Sequence, residues 1–362
     1  MIKNSDISIV CPIYIIDDTQ INQLKLCLES LKKVNHIEKT ELIFVDDCSP
    51  IGQDRIKKLI KNYFNDNIKV LNLYKNVGPG LARNHGALSA VSKILVFIDH
   101  DCVVSKDWLE KLVDPILNKI TKATTSCYFS SVKSSLLVNY QNYDYMFRMP
   151  KSFGKVNFVN GCSVAVDSNL FLQLGGFPSM RICEDIIFGS QLCKSGNYPI
   201  FVPDANVKHH YKSNIYQYIH QRFLFSSSIV LFKWKTIFKL NYNNLKINND
   251  HNDSADVVQS YSPLVVILSS LSVFLFVFFL FLLNYEKFNI IYINIFLLFF
   301  WLNIKRKFFK FMISFKPPIM NFFRYILFTL LVDVIYLFAM IYGTLKFLYC
   351  SKTLLNKFNL NK

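Results

Sequence analysis

The chain has no Cys-x-x-Cys pair; its nine cysteines (Cys11, Cys27, Cys48, Cys102, Cys127, Cys162, Cys183, Cys193, Cys350) are scattered and odd in number. This argues against a disulfide framework and a structural zinc site, and for a reducing compartment. No Gly-Lys-Ser/Thr follows the glycines near Gly78, and no G-x-G-x-x-G follows the first apolar run, so neither a Walker loop nor a dinucleotide fingerprint is present. The N-terminus lacks a charged leader ahead of a long apolar core, because Ile7 to Ile16 is short and interrupted by Pro12. Without a signal peptide, the N-terminal domain is expected in the cytoplasm. The formal charge of +16 is not gathered into one arm or helix face. A diffuse, solvated basic surface of this kind does not point to nucleic acid.

What is abundant is phenylalanine, 34 in 362 residues, with a mean hydropathy of +0.25. Such aromatic mass predicts a membrane part beside one large domain. Up to about residue 210, β-branched runs alternate with helical patterns: Ile7–Ile16, Glu41–Val45, Lys69–Tyr74, Ile94–Ile98 and Val156–Val166 read as strands. Leu24, Leu28 and Leu31 give one intervening helix its apolar stripe, and Gly80 to Val91 supplies another. The expected fold is α/β and Rossmann-like, a mostly parallel sheet covered by helices, with ligands at the carboxyl ends of the strands.

The chain is divided as residues 1–230, a catalytic domain; 231–260, an amphipathic or linker segment; 261–350, a membrane domain; and 351–362, a basic tail. Two or three transmembrane helices are expected, over about 263–283, 289–304 and 325–348. The basic stretch Lys305-Arg306-Lys307, with Lys310 and Lys316, reads as a cytoplasmic loop. That places a multi-pass protein in the inner (cytoplasmic) membrane with its catalytic domain inside. The third run either spans or lies at the interface.

Acids punctuate the strand ends. After Pro12-Ile13-Tyr14 comes Val45-Asp46-Asp47-Cys48-Ser49, then Asp99-His100-Asp101. One acid pair after a strand is ordinarily a helix cap; several on one sheet edge suggest a site. If the chain stays extended, Asp99 and Asp101 face the same side and could share a hard divalent cation. Between them, Asn76-x-Gly78-x-x-x-Ala82-Arg83-Asn84 could bring backbone and guanidinium to a diphosphate, or could be a plain turn before a helix. Gly175-Gly176-Phe177 precedes Glu184-Asp185 at a helix start, where acids either serve the helix dipole or act as a general base. His209 and His210 are imidazoles for a metal or for the surface. Tyr140 to Tyr145 reads as a sugar platform or as a core strand.

Taken in order, these stretches resemble glycosyltransferase family 2 with a GT-A nucleotide-sugar fold, over about residues 6 to 225. The resemblance implies Pro12, Tyr14, Asp46, Asp47, Gly78, Arg83, Asn84 and Asp99 as nucleotide-sugar contacts. Asp47 would meet the base, and Arg83 would lie near ribose or diphosphate. It implies Asp101, Asp99 and His209 as metal ligands for Mg2+ or Mn2+, and Asp185 as catalytic base with Glu184 beside it. Inverting transfer of one sugar from a UDP- or GDP-sugar to a membrane-associated acceptor, a lipid-linked glycan above all, follows as the expected activity in cell-surface polysaccharide or glycolipid synthesis.

Two departures stand out: His100 between the acids, and Cys48 where glycine is common. The processive Gln-x-x-Arg-Trp pattern is also broken, since Gln217 lies five residues before Arg222 and Phe223 follows. A processive polysaccharide synthase and a non-catalytic sugar-nucleotide-binding membrane protein are the alternatives. A nucleotidyltransferase would want an N-terminal glycine-rich signature with lysine, which the chain lacks.

Overall fold

The computed structural model describes residues 6–64, 68–129, 135–237 and 288–359, with a few positions between 268 and 275. They form two compact units. The first holds 6–129 and 149–211, and the second holds 135–148, 212–237 and the described residues from 268 onward. The division lies earlier than the expected boundary at 230, and it assigns 135–148 to the helical unit.

In the first unit β1 (Ile7–Ile13), α1 (Asp18–Leu31), β2 (Glu41–Asp46), α2 (Gln53–Tyr63), β3 (Ile68–Asn72), α3 (Pro79–Ser89) and β4 (Ile94–Phe97) alternate as the apolar periodicity predicts. There follow β5 (Cys102–Val103), α4 (Trp108–Leu117), β6 (Ala123–Thr125) and β7 (Tyr128–Phe129). Next come α5 (Leu136–Arg148), which belongs to the second unit, and β8 (Gly154–Lys155), β9 (Val164–Asp167) and α6 (Ser168–Gln173). The first unit closes with α7 (Glu184–Lys194), β10 (Ile200–Phe201) and β11 (Val207–His209).

The main sheet runs β3-β2-β1-β4-β9-β6-β10-β8, and a small second sheet runs β5-β11-β7. Strands β3, β2, β1 and β4 are mutually parallel, so their carboxyl ends share one edge. Every residue of β1 is buried, as expected of a central strand covered on both faces. Ile9 and Cys11 pack with Leu24 and Leu28 of α1 on one side. Val10 packs on the other with Ala82 of α3 and Phe188 of α7.

Local chemistry explains the helix starts beside that edge. Asp17 caps α1 by accepting the Gln20 amide. Gly78, at φ 91°, turns the chain into α3, and Pro79 sits in its first turn, where no amide partner is needed. The sheet departs from expectation at Val156–Val166, of which only Val164–Val166 is strand, the start of β9, while 156–163 connects it to β8. The segment between β8 and β9 turns at Asn160: its amide donates to Thr125 Oγ1 (2.9 Å), and its carbonyl accepts from Ser163 N (2.9 Å).

The second unit contains α5, α8 (Ile215–Ile237), α9 (Phe288–Ile304), α10 (Arg306–Ile313) and α11 (Ile319–Asn359). Tyr140 is neither platform nor strand: it is a buried residue of helix α5, packed on Tyr218, Phe308, Tyr325 and Phe328. Among the described residues one helix is long and apolar enough to cross a membrane, Ile319–Tyr349, with mean hydropathy 2.2. It covers the expected 325–348 span. Helix α9 has 17 residues, about 26 Å of rise against a hydrocarbon core of about 30 Å. Most of the run 263–283 lies outside the described residues, as does 238–260 of the expected linker, whose first part continues α8. Lys305 is not part of a solvated loop. It is buried, and its ammonium lies 2.8 Å from Asp333, which also accepts from Trp301 Nε1 (2.7 Å) and Ser269.

Candidate active site

The parallel strands β1, β2 and β4 end side by side, and the residues that follow them carry most of the predicted site. Pro12 lies within β1 and is buried, with Tyr14 half-buried just past the strand. After β2, Asp46 folds onto its own turn, accepting from Ser49 N (3.0 Å) and Ser49 Oγ (2.5 Å). Burial raises the Asp46 carboxyl, and the Ser49 bonds oppose the shift. Asp47 reaches across to the next connection: its two oxygens accept the amides of Val77 (2.7 Å) and Gly78 (2.8 Å). The acid pair is thereby divided, one carboxylate closing its own loop and the other fixing the loop that starts α3.

Arg83 and Asn84 leave α3 toward different neighbours. Asn84 clasps the backbone of Phe177, donating to its carbonyl (2.8 Å) and accepting from its amide (2.9 Å). The preceding Gly176 has φ 69°, and a Cβ there would stand 2.6 Å from Asn84 Oδ1, so this turn requires glycine. Arg83 is almost wholly buried, with Nη1 2.8 Å from Glu184 Oε1 and Nη2 2.5 Å from Asp99 Oδ1. Burial disfavours its charge, but the two carboxylates outweigh that and raise its pKa. A Cβ on Gly161 would lie 2.8–3.0 Å from the guanidinium, so the 160–162 turn seals it from that direction.

Asp99 and Asp101 do not lie on an extended strand. Their segment turns between β4 and β5, with Cys102 N donating to Asp99 O (3.1 Å). The period-two argument for a shared face therefore does not apply, and the two acids take different partners. Asp99 joins Arg83, whereas Asp101 Oδ1 lies 3.5 Å from His209 Nε2 on β11. Asp101, Cys102 and His209 offer ligand atoms that all lie within 4.8 Å of one another, and Asp99 is outside that group. His209 Nδ1 is buried without a hydrogen-bond partner among the described residues, as is His100 Nε2. The metal-ligating residue types and the spacing of Asp101 Oδ1 and His209 Nε2 fit a divalent cation at these two residues.

Glu184 and Asp185 open α7, where the helix dipole favours acids. Burial and the adjacent Asp185 push the Glu184 carboxyl up to about 7, against the lowering pull of Arg83. Asp185 is raised by burial as well, and the Gly161 and Ile186 amides oppose it. Those amides donate to Asp185 at 3.2 and 2.8 Å. An unbroken chain thus runs from the Asp-x-Asp turn through Asp99, Arg83 and Glu184 to the residue beside Asp185. The reading of the motifs missed Gly161 and Cys102: Gly161 follows Asn160, a pair that by itself signals only a turn, and Cys102 counted only as one scattered thiol.

The fold and this edge define a GT-A-type α/β domain. Residues 8–172 match Glycosyl transferase family 2, and the domain belongs to that family. The minor teichoic acid biosynthesis protein GgaA of Bacillus subtilis is 27% identical over 194 residues, covering 51% of this chain and 42% of that protein. Glycosyltransferase AglE of Haloferax volcanii is 24% identical over 197 residues, covering 54% and 63%. Among solved structures, the mannosyltransferase PcManGT of Pyrobaculum calidifontis, in complex with GDP-Man and Mn2+, superposes with a TM-score of 0.52 at 18% identity. That likeness covers 68% of this chain and 66% of the mannosyltransferase. The chain therefore spans less than two thirds of the length of each of these proteins.

Proposed function

We propose that this protein is an inverting glycosyltransferase that moves one sugar from a UDP- or GDP-sugar to a lipid-linked glycan acceptor, with its catalytic domain on the cytoplasmic side of the inner membrane. The observation that carries the reading is the Asp99–Arg83–Glu184 chain, which ties the Asp-x-Asp turn to the helix start bearing Asp185. Donor binding falls to the edge formed by Pro12, Tyr14, Asp47 and Gly78. Asp47 and Arg83 act largely by holding that edge, since both Asp47 oxygens and both Arg83 Nη atoms already engage protein groups.

Asp185 takes the proton of the acceptor hydroxyl as that oxygen attacks the anomeric carbon from the face opposite the leaving diphosphate. Two amides fix the orientation of its carboxylate before the acceptor arrives. Mg2+ or Mn2+ at Asp101 and His209, with Asp99 nearby, would neutralise charge on the diphosphate. The mannosyltransferase neighbour, described with GDP-Man and Mn2+, supports both donor class and cation. The acceptor assignment is supported by the span Ile319–Tyr349 and by the teichoic acid biosynthesis that the name of GgaA states for that relative.

The test is release of nucleoside diphosphate from a panel of UDP- and GDP-sugars by membranes containing the full chain and Mn2+. At least one donor is turned over, and Asp101→Ala abolishes that turnover while the protein stays folded. Full activity in Asp101→Ala overturns the assignment.

A further inference from the structure

The cluster at the end of the Asp-x-Asp turn contains a sulfur. Antiparallel pairing sets Cys102 of β5 directly opposite His209 of β11, and paired residues project to the same face. Cys102 Sγ lies 3.9 Å from Asp101 Oδ1, and Asp101 Oδ1 lies 3.5 Å from His209 Nε2. A tetrahedral ion with ligand bonds of about 2.0–2.3 Å needs donor atoms about 3.3–3.6 Å apart. The oxygen–nitrogen pair already has that spacing, the sulfur stands a few tenths of an ångström wide of it from the oxygen, and all three donor atoms lie within 4.8 Å of one another.

We propose that Cys102 is a third protein ligand of this site, so that it selects a thiophilic divalent ion of the Zn2+ and Co2+ type over oxygen-seeking Mg2+. The inference rests on reading the turn as the cation site of a sugar transferase, and it deepens that reading. Mg2+ demands six oxygens in near-ideal octahedral geometry and gains little from a thiol. Zn2+ accepts carboxylate, imidazole and thiolate together, and three protein ligands leave a fourth position open, here for a diphosphate oxygen. The Cys102 thiol transfers its proton to solvent as the sulfur–metal bond forms, so binding releases about one proton per ion. Cys162, which accepts a hydrogen bond from Cys102, is not in the group and serves as the control thiol.

The experiment is a Co2+ titration of the full-length protein in detergent, followed by absorption spectroscopy. Wild type shows a thiolate-to-Co2+ charge-transfer band in the near ultraviolet, and Zn2+ removes it by competition. Cys102→Ser loses the band and binds Zn2+ more weakly by more than the roughly 10–100-fold that an outer-sphere partner is worth. Cys162→Ser keeps the band, which shows that a serine in this thiol pair does not of itself dismantle the fold. Co2+ binding to wild type without the band, no Co2+ binding at all, or a band that survives Cys102→Ser overturns the proposal. The outcome separates from the activity reading. Mn2+-supported turnover with no thiolate band refutes only the sulfur ligand, and a clear band without donor turnover refutes only the transferase.

Discussion

At the scale of single residues, the site economises on charge. Arg83 is one buried cation serving Asp99 and Glu184, with Asp185 adding a further acid beside Glu184. Burial first, and then the charge of Asp185, raise the Glu184 carboxyl to about 7 from an ordinary value of 4.5, and a proton held there relieves that excess. The sign of the consequence follows from linkage. Between these two values the folded protein keeps a proton that the unfolded chain has released, so unfolding free energy falls as pH rises from about 4.5 through about 7. Glu184→Gln removes this component, and urea unfolding across that window should show a flatter slope in the variant. An unchanged slope would mean that Glu184 is ionised throughout. The motif order located this residue, but its partner lies 101 positions away, a pairing that only the fold creates.

At the scale of elements, α3 is the part whose placement decides the most. It starts at the Gly78 turn and carries Arg83 and Asn84, and it lies close against β1 and β2 because Gly86 has no side chain. A Cβ there would run into Val10 Cγ1 and stand 3.0 Å from Val45 Cγ2. Gly86→Ala should therefore destabilise the first unit by about 1–3 kcal/mol, the usual range for overpacking. Gly154→Ala, where a Cβ would meet nothing within 4 Å, should stay within about 0.5 kcal/mol of wild type. Denaturant midpoints of the two variants check this, and equal shifts would argue against the close contact. The alternation from β1 to β4 was legible because buried parallel strands are continuous apolar runs and α1 has a clear stripe. That 156–163 is not strand was not legible, since Thr125, some 35 residues earlier, fixes the turn at Asn160. The Asp-x-Asp segment misled for a related reason: a backbone bond from Cys102 to Asp99 turns a chain that its composition extends.

At the scale of the whole molecule, an α/β unit of family 2 type accompanies a helical unit that has its own buried polar centre. Lys305 and Asp333 are both buried and 2.8 Å apart. Sequence position made Lys305 part of a basic loop, because nothing local announces a partner 28 residues on. Lys305→Met leaves Asp333 without its cation and should cost about 3–5 kcal/mol. The double variant Lys305→Met with Asp333→Leu should recover most of that loss, as read by thermal unfolding in detergent; a double variant no better than the single one would assign Asp333 some other role. The central claim concerns Asp185, and it is tested most directly by donor turnover in membranes carrying Asp185→Asn, alongside donor affinity measured calorimetrically. Turnover should fall by roughly 10²–10⁴-fold, the contribution of a positioned general base, with donor affinity unchanged. Turnover within tenfold of wild type would contradict the account.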